Sequence, residues 1–245
     1  MHVDRISWKT LEKKLTGQRV VALLPVGSLE QHGFHLPLGT DTILVEYIAE
    51  IVEKTIPEKV AVFPTFPYGI SAEHAGFPGT VTVGVENFSA SIYEIIRSIF
   101  EARFHSTLIL NGHGGNTDTL RVVTTKWNMA HETKVYLASV QLKEVFKSVF
   151  GLDLSIHAGY AETSMIEALD PSLVDTEGLD NTPATDFKNA TEEVFSVMRA
   201  KEISVSGMVE LGKPFASGDP EKGRAALQTL ADKVIHLVNK IIKTS

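Results

Sequence analysis

The hydrophobic pattern of the chain alternates between two periods. The segments "RVVALLPVG" (19–27), "KVAVFP" (59–64), "STLILN" (106–111) and "KVYLASV" (134–140) carry no charge beyond their first residue. Such runs suit strands covered on both faces. Between them, apolar residues return at helical spacing: Leu44, Tyr47, Ile48, Ile51 and Val52, then Phe88, Ile92, Ile95, Ile96 and Ile99. The first set predicts a helix through "TILVEYIAEIVEKTI" with Thr40 or Asp41 as its cap, and the second a helix over 87–104. A further helix is expected after "NGHGGN", reaching about Ala130. Another runs from near Tyr160 to Asp170, because Pro171 disfavours helical geometry in the residue before it. The last begins at Pro220, a residue suited to a first helical turn.

Residues 64–80 hold several Pro and Gly and predict a loop, with "TVTVG" after it as a short strand. The polar segment 172–219 predicts an excursion with little regular structure. No repeat or linker divides the chain, so residues 1–245 are expected to form one domain. Strands alternating with helices predict an α/β fold, three-layer α/β/α, with a mostly parallel sheet and helices on both faces. In such sheets ligands collect beyond the carboxyl ends of the strands.

The chemically capable residues fall at those ends. In "SLEQHGFHLPLGTD" (28–41), Glu30 and His32 are two apart, and alternate residues of an extended segment face one side. Asp41 stands at the start of a predicted helix, where its two oxygens are placed to bridge two cations. Each residue alone is equally well a turn acid or a hydrogen-bonded histidine. Together, past a buried strand, they point to a metal site. "NGHGGN" (111–116) adds His113, and its glycines let the backbone approach a ligand. A phosphate cradle is disfavoured, because neither the dinucleotide nor the P-loop spacing is present. "HAGYAETS" (157–164) adds His157 and Glu162. Glu162 falls in the first turn of a predicted helix, where it is either a cap or a ligand.

Composition narrows the chemistry. The chain has no cysteine, so any metal must sit on nitrogen and oxygen donors. Hydrophobic residues make up 43% and charged residues 22%, as in ordinary globular proteins, and the net charge of −7 argues against a nucleic-acid partner. No apolar stretch approaches the roughly 18–20 residues of a membrane span, and the first residues lack a signal-peptide core. A soluble cytoplasmic protein with no membrane partner is expected.

The segments "LPVGSLEQHGFHLPLGTD", "FPGT", "NGHGGN" and "HAGYAETS", in this order, resemble the creatininase (creatinine amidohydrolase) family, as does "GDP…EKGR" near 218–224. The resemblance implies a dinuclear amidohydrolase with two divalent metal ions (Zn, Mn or Fe). It would cleave a non-peptide or cyclic amide or formamide C–N bond through a metal-bound hydroxide. It implies that Glu30 and His113 hold one ion, His32 the other, and Asp41 bridges them. Oxygen and nitrogen donors of this kind suit such cations in their own right.

Creatininase itself has a tyrosine and a ligating glutamate after the corresponding histidine, where this chain has Gly114 and Gly115. Glu162 is expected to take over as ligand. Creatininase also closes its pocket with tryptophans, whereas Trp8 and Trp127 are the only ones here, so a substrate other than creatinine is expected. By family role, His157 delivers a proton to the departing nitrogen. Ser71, His74, Gly114 and Gly115 are expected to contact a small-molecule amide substrate, with Ser71, Glu73 and His74 at the pocket rim. His35 is expected to support a ligand or touch a neighbouring subunit. The family also implies a homo-oligomer, a hexamer. Two alternatives accompany this reading: a formamidopyrimidine deformylase of flavin or deazaflavin synthesis, and a non-catalytic, oligomeric metal-binding relative.

Overall fold

The computed structural model describes residues 1–152, 157–182, 204–209 and 217–244. Its sheet has four parallel strands: β1 (Val21–Val26), β2 (Val60–Val62), β3 (Ser106–Asn111) and β4 (Lys134–Ser139), in the order β2-β1-β3-β4. Both central strands are buried along their whole length. The two-residue period then decides which side chains go to which face. Val21, Leu23, Leu108 and Leu110 enter one core, and Ala22, Leu24, Val26 and Ile109 enter the other.

The first core is covered by α2 (Thr40–Thr55), α5 (Tyr160–Leu169) and α6 (Pro220–Thr244), which contribute Leu44, Ile48, Ile166, Leu227 and Val238. The second is covered by α3 (Val85–Glu101) and α4 (Thr117–Ala130), through Phe88, Ile92, Ile96, Leu120 and Trp127. A shorter helix, α1 (Trp8–Leu15), packs Leu11 and Leu15 against that second core. Each fully buried side chain of this size contributes about 1.5–3 kcal/mol. The expected three-layer arrangement is therefore present.

The connectivity places the ligand-binding crevice. From β1 the chain crosses through α2 to β2 on one side, then through α3 to β3 on the other side of β1. The sheet order thus reverses between β1 and β3, where open α/β sheets bind ligands beyond their strand ends. Val26 pairs with Asn111 at that end, so the segments carrying Glu30 and His113 emerge side by side. A Cβ at Gly112 would lie 2.7 Å from the Asp41 carbonyl oxygen, so glycine lets β3 leave the sheet directly against the start of α2.

Several local expectations are corrected. "TVTVG" forms no strand; only Val81 makes an isolated bridge, to Leu29. Its neighbouring threonines instead spend their hydroxyls on loop amides, Thr80 accepting from Gln31 N–H and Thr82 from Ser71 N–H, each at 2.9 Å. Neither Thr40 nor Asp41 caps α2, whose cap is Gly39 with no side-chain bond. Thr40 donates back to the Pro37 carbonyl at 2.7 Å, and the Asp41 carboxylate turns toward the cluster described below. Helix α3 runs from Val85 to Glu101, two residues earlier at its start and three at its end than its apolar spacing predicts. Within the expected excursion, Pro171–Leu173 and Thr176–Asp180 are short helical turns, the second capped by Asp175. The rest of 172–219, apart from 204–209 and 217–219, lies outside the described residues. Among the described residues, no helix is long and apolar enough to cross a membrane.

Candidate metal centre

Glu30, His32, Asp41, His74, His113, His157 and Glu162 are all buried. They converge from five segments: the loop after β1, the first turn of α2, a single turn at Ala72–His74, the turn after β3, and the start of α5. Glu30 and His32 do share one side of the segment after β1. The His32 Nδ1 lies 3.2 Å from the Glu30 carbonyl oxygen, which leaves Nε2 to face Asp41 Oδ1 at 3.5 Å. The other Asp41 oxygen accepts the Ser28 hydroxyl at 2.7 Å and lies 3.1 Å from His113 Nδ1. His113 is oriented by its Nε2–H, which donates to the Ile70 carbonyl at 2.8 Å.

Glu30 is the most enclosed carboxylate. Its Oε2 is 3.2 Å from His113 Nε2, and its Oε1 is 3.4 Å from His74 Nε2 and 3.7 Å from His157 Nδ1. Despite these neighbours, neither Glu30 oxygen nor His32 Nε2 makes a hydrogen bond among the described residues. Buried polar atoms without partners are costly, and donors that face one another this way suit a cation. Three residue groups bring donor atoms within 4.8 Å of one another: Glu30–Asp41–His113, His32–His157–Glu162 and Glu30–His74–His157. The donor set fits divalent cations.

The electrostatics follow from dense charge in a dry place. Burial raises Glu30 to about 7, opposed by the His113 charge. Burial would lower His32 and His113, but it is outweighed. Asp41 chiefly lifts His32 to about 9, and Glu30 with Asp41 lifts His113 to about 10. The same two histidines hold Asp41 well below the usual carboxylate range against the effect of its burial. His74 and His157 go the other way: burial, followed by the nearby histidine charges, brings His74 to about 3 and His157 well below its ordinary value. Both are neutral near neutral pH.

Two of the expected rim residues prove to be interior. His74 is buried and stacks on the His157 ring with centroids 4.1 Å apart, and Ser71 is fully buried beside it in the chain. Glu73, in contrast, keeps a 30% exposed side chain, with Oε1 3.6 Å from His113 Nε2. A Cβ at Gly115 would overlap the Ile70 carbonyl oxygen and lie 2.6 Å from Glu73 Oε1. Position 115 is glycine because the Glu73 carboxylate and the Ile70 carbonyl already fill that space. At Gly114 a Cβ would approach only the Gln141 side chain, at 3.1 Å.

Glu162 does two things at once. Its Oε2 accepts the Ala158 N–H at 2.6 Å, which makes it a cap for α5, and its carboxylate also falls in the group with His32 and His157. His35 lies behind the site, its Nε2 2.9 Å from the Thr163 hydroxyl. Trp127 stacks on Phe100 and His131 along α4, at the second core, rather than at the cluster. One residue was missed by sequence reasoning: Gln31, between Glu30 and His32, touches both His74 and His157. Its place inside the "LEQHG" run was the only available signal.

Buried imidazoles and carboxylates at the switch point of a parallel sheet define a metal-binding α/β hydrolase. The chain matches the creatininase (creatinine amidohydrolase) family over residues 4–238 and belongs to that family. It is thus an amidohydrolase by family, of the class acting on C–N bonds outside ordinary peptide links. It is 32% identical over 213 residues to a mycofactocin precursor peptide peptidase of Mycolicibacterium smegmatis, covering 84% of this chain and 77% of that one. It is 27% identical over 210 residues to a creatinine amidohydrolase of Pseudomonas putida, covering 75% and 77%. A crystal structure of creatininase superimposes with a TM-score of 0.83 at 24% identity, over 100% of this chain and 98% of that one. Manganese and zinc–zinc forms of creatininase superimpose similarly, with TM-scores of 0.81 and 0.80, each at 24% identity over 98% of both chains.

Proposed function

We propose that this protein is a dinuclear metal-dependent amidohydrolase that cleaves a linear or cyclic amide or formamide C–N bond in a small molecule. The observation that carries this reading is the position of Asp41, wedged between His32 and His113 with one oxygen toward each. Glu30, Asp41 and His113 would hold one cation, and His32 and Glu162, with the second Asp41 oxygen, the other. Zn, Mn or Fe suit these donors. Bound there, two divalent cations polarise a carbonyl group and make a water acidic enough to attack near neutral pH.

The chain's own residues supply the rest. His157 donates its Nε2–H to the Gln31 carbonyl at 2.6 Å, so only Nδ1 can carry a proton within the site. Hydrolysis consumes one water: its oxygen bonds the carbonyl carbon, the C–N bond breaks, and a proton travels by His157 Nδ1 to the departing nitrogen. Starting neutral, His157 first collects that proton and then delivers it. Ser71, His74, Gly114 and Gly115 line the space for the substrate. Without a tryptophan at the cluster, this pocket accepts a substrate other than creatinine. By family resemblance the enzyme assembles as a homohexamer, which sedimentation velocity tests.

Metal analysis of protein purified without chelators, followed by a screen of amides and formamides, tests the reading. Two cations per chain with turnover support it; one buried cation and no turnover would identify a non-catalytic relative. Formate release from formamidopyrimidines would select the deformylase alternative. His157→Ala should keep both cations and lose about 10²–10⁴-fold in kcat.

A further inference from the structure

Gln31 is held by groups whose hydrogen-bonding roles cannot change. Its Oε1 accepts the Gly33 backbone N–H at 3.0 Å, and its Nε2 donates to the Gly207 carbonyl at 3.1 Å. A flipped amide would set donor against donor and acceptor against acceptor, so the orientation is fixed. The second Nε2 hydrogen then points at His74 Nδ1, 2.7 Å away. An imidazole nitrogen that accepts is unprotonated, so the His74 proton lies on Nε2, and Nε2 is the atom facing Glu30 Oε1. His157 receives the opposite instruction from the same residue. Its Nε2 lies 2.6 Å from the Gln31 main-chain carbonyl, a distance that needs a proton between them. Its Nδ1 therefore bears a lone pair, and Nδ1 is the atom facing Glu30 Oε1.

We propose that Gln31 is a positioning residue that makes the stacked histidines do opposite things at one point of the site: His74 presents an N–H and His157 a lone pair. This proposal rests on the amidohydrolase reading only for what the N–H meets, an acceptor atom of the amide substrate. It also sorts the three donor groups. A protonated Nε2 cannot ligate, so Glu30–His74–His157 is the substrate-facing group and the other two are left for cations. Gly207 is part of the device. It adopts φ +81°, and a Cβ there would overlap the Gln31 side-chain amide, so a glycine must pass at this point for Gln31 to reach both histidines.

The test is the tautomer itself, read by magic-angle-spinning NMR of the full chain labelled with 15N-histidine. The His74 signal is assigned by its disappearance in His74→Gln. The expected wild-type result is His74 protonated on Nε2 with a bare Nδ1. In Gln31→Glu a carboxylate faces Nδ1 and should draw the proton there, and Gly207→Ala, which displaces the Gln31 amide, should erase the preference. A wild-type proton on Nδ1, or a tautomer indifferent to Gln31→Glu, overturns the proposal.

Kinetics give a second readout at unchanged metal content. Gln31→Glu should lower kcat about 10–100-fold, with less effect on KM. In the His74→Gln background, where the donor has no tautomers, the same change should cost less than about threefold; an equal loss in both backgrounds refutes the coupling. Should wild-type protein show the expected tautomers but hydrolyse no amide, the amidohydrolase reading falls and the positioning role stands.

Discussion

Asp41 Oδ2 and His113 Nδ1 lie 3.1 Å apart although they enter from different secondary structures, a helix start and a strand exit. The contact exists because β3 leaves the sheet at Gly112, against the Asp41 backbone. Asp41→Asn keeps the shape and removes the charge that both His32 and His113 face. We expect the bound metal to fall from two ions per chain to one or none, and kcat to drop at least about 10²-fold. Elemental analysis alongside kinetics checks this.

Glu162 offers a sharper distinction, because capping and ligation predict different losses. Glu162→Ala removes the cap on Ala158 N–H, which lowers stability by about 0.5–2 kcal/mol by thermal denaturation. As a ligand, Glu162 must in addition take one cation with it. A variant that melts earlier yet keeps its full metal content would leave Glu162 only its capping role.

Gly115 should tolerate no side chain. Gly115→Ala drives a methyl group into the Ile70 carbonyl and toward Glu73 Oε1, and overpacking of this kind costs about 1–3 kcal/mol. The same strain presses on His113, whose Nε2 donates to that carbonyl. Weaker metal retention during dialysis against chelator should therefore accompany the lower melting temperature.

Chelator-treated protein should lose stability as the solution is made alkaline. His32 and His113 are raised to about 9 and about 10, above the usual 6.5 of an unfolded histidine. Between those limits the native state holds more protons than the unfolded state, so its advantage is complete below about pH 6.5 and declines as pH rises. The buried groups shifted downward, His74 and His157, have completed their effect below that window. We expect a falling melting temperature from pH 7 to 9.5, with a slope on the order of 1 kcal/mol per pH unit per histidine. Cations that displace those protons should flatten the curve, and their affinity should rise over the same range. Differential scanning calorimetry with and without metal measures both.

The layers were legible in the sequence because each strand and helix states its own period. Val21 to Val26 read as doubly buried from apolar continuity alone, and α2 and α3 from spacing alone. Glu30, His32, Asp41, His113, His157 and Glu162 were legible as chemistry because they fall just past apolar runs or at a helix start. "TVTVG" misled because alternation cannot tell a strand from a loop whose threonine hydroxyls serve neighbouring amides.

By itself, then, the sequence determined the sheet, its two covered faces and the donor types available to a metal. Only the tertiary structure decided that His74 is interior, that Glu73 fills the space beside Gly115, and that Gln31 reaches His74, His157 and Gly207. The physical reason is sequence distance. Periodicity is a local property of the chain, whereas Gln31 meets partners 43, 126 and 176 residues away. Which nitrogen of a histidine carries the proton depends on such partners, and no pattern along the chain encodes it.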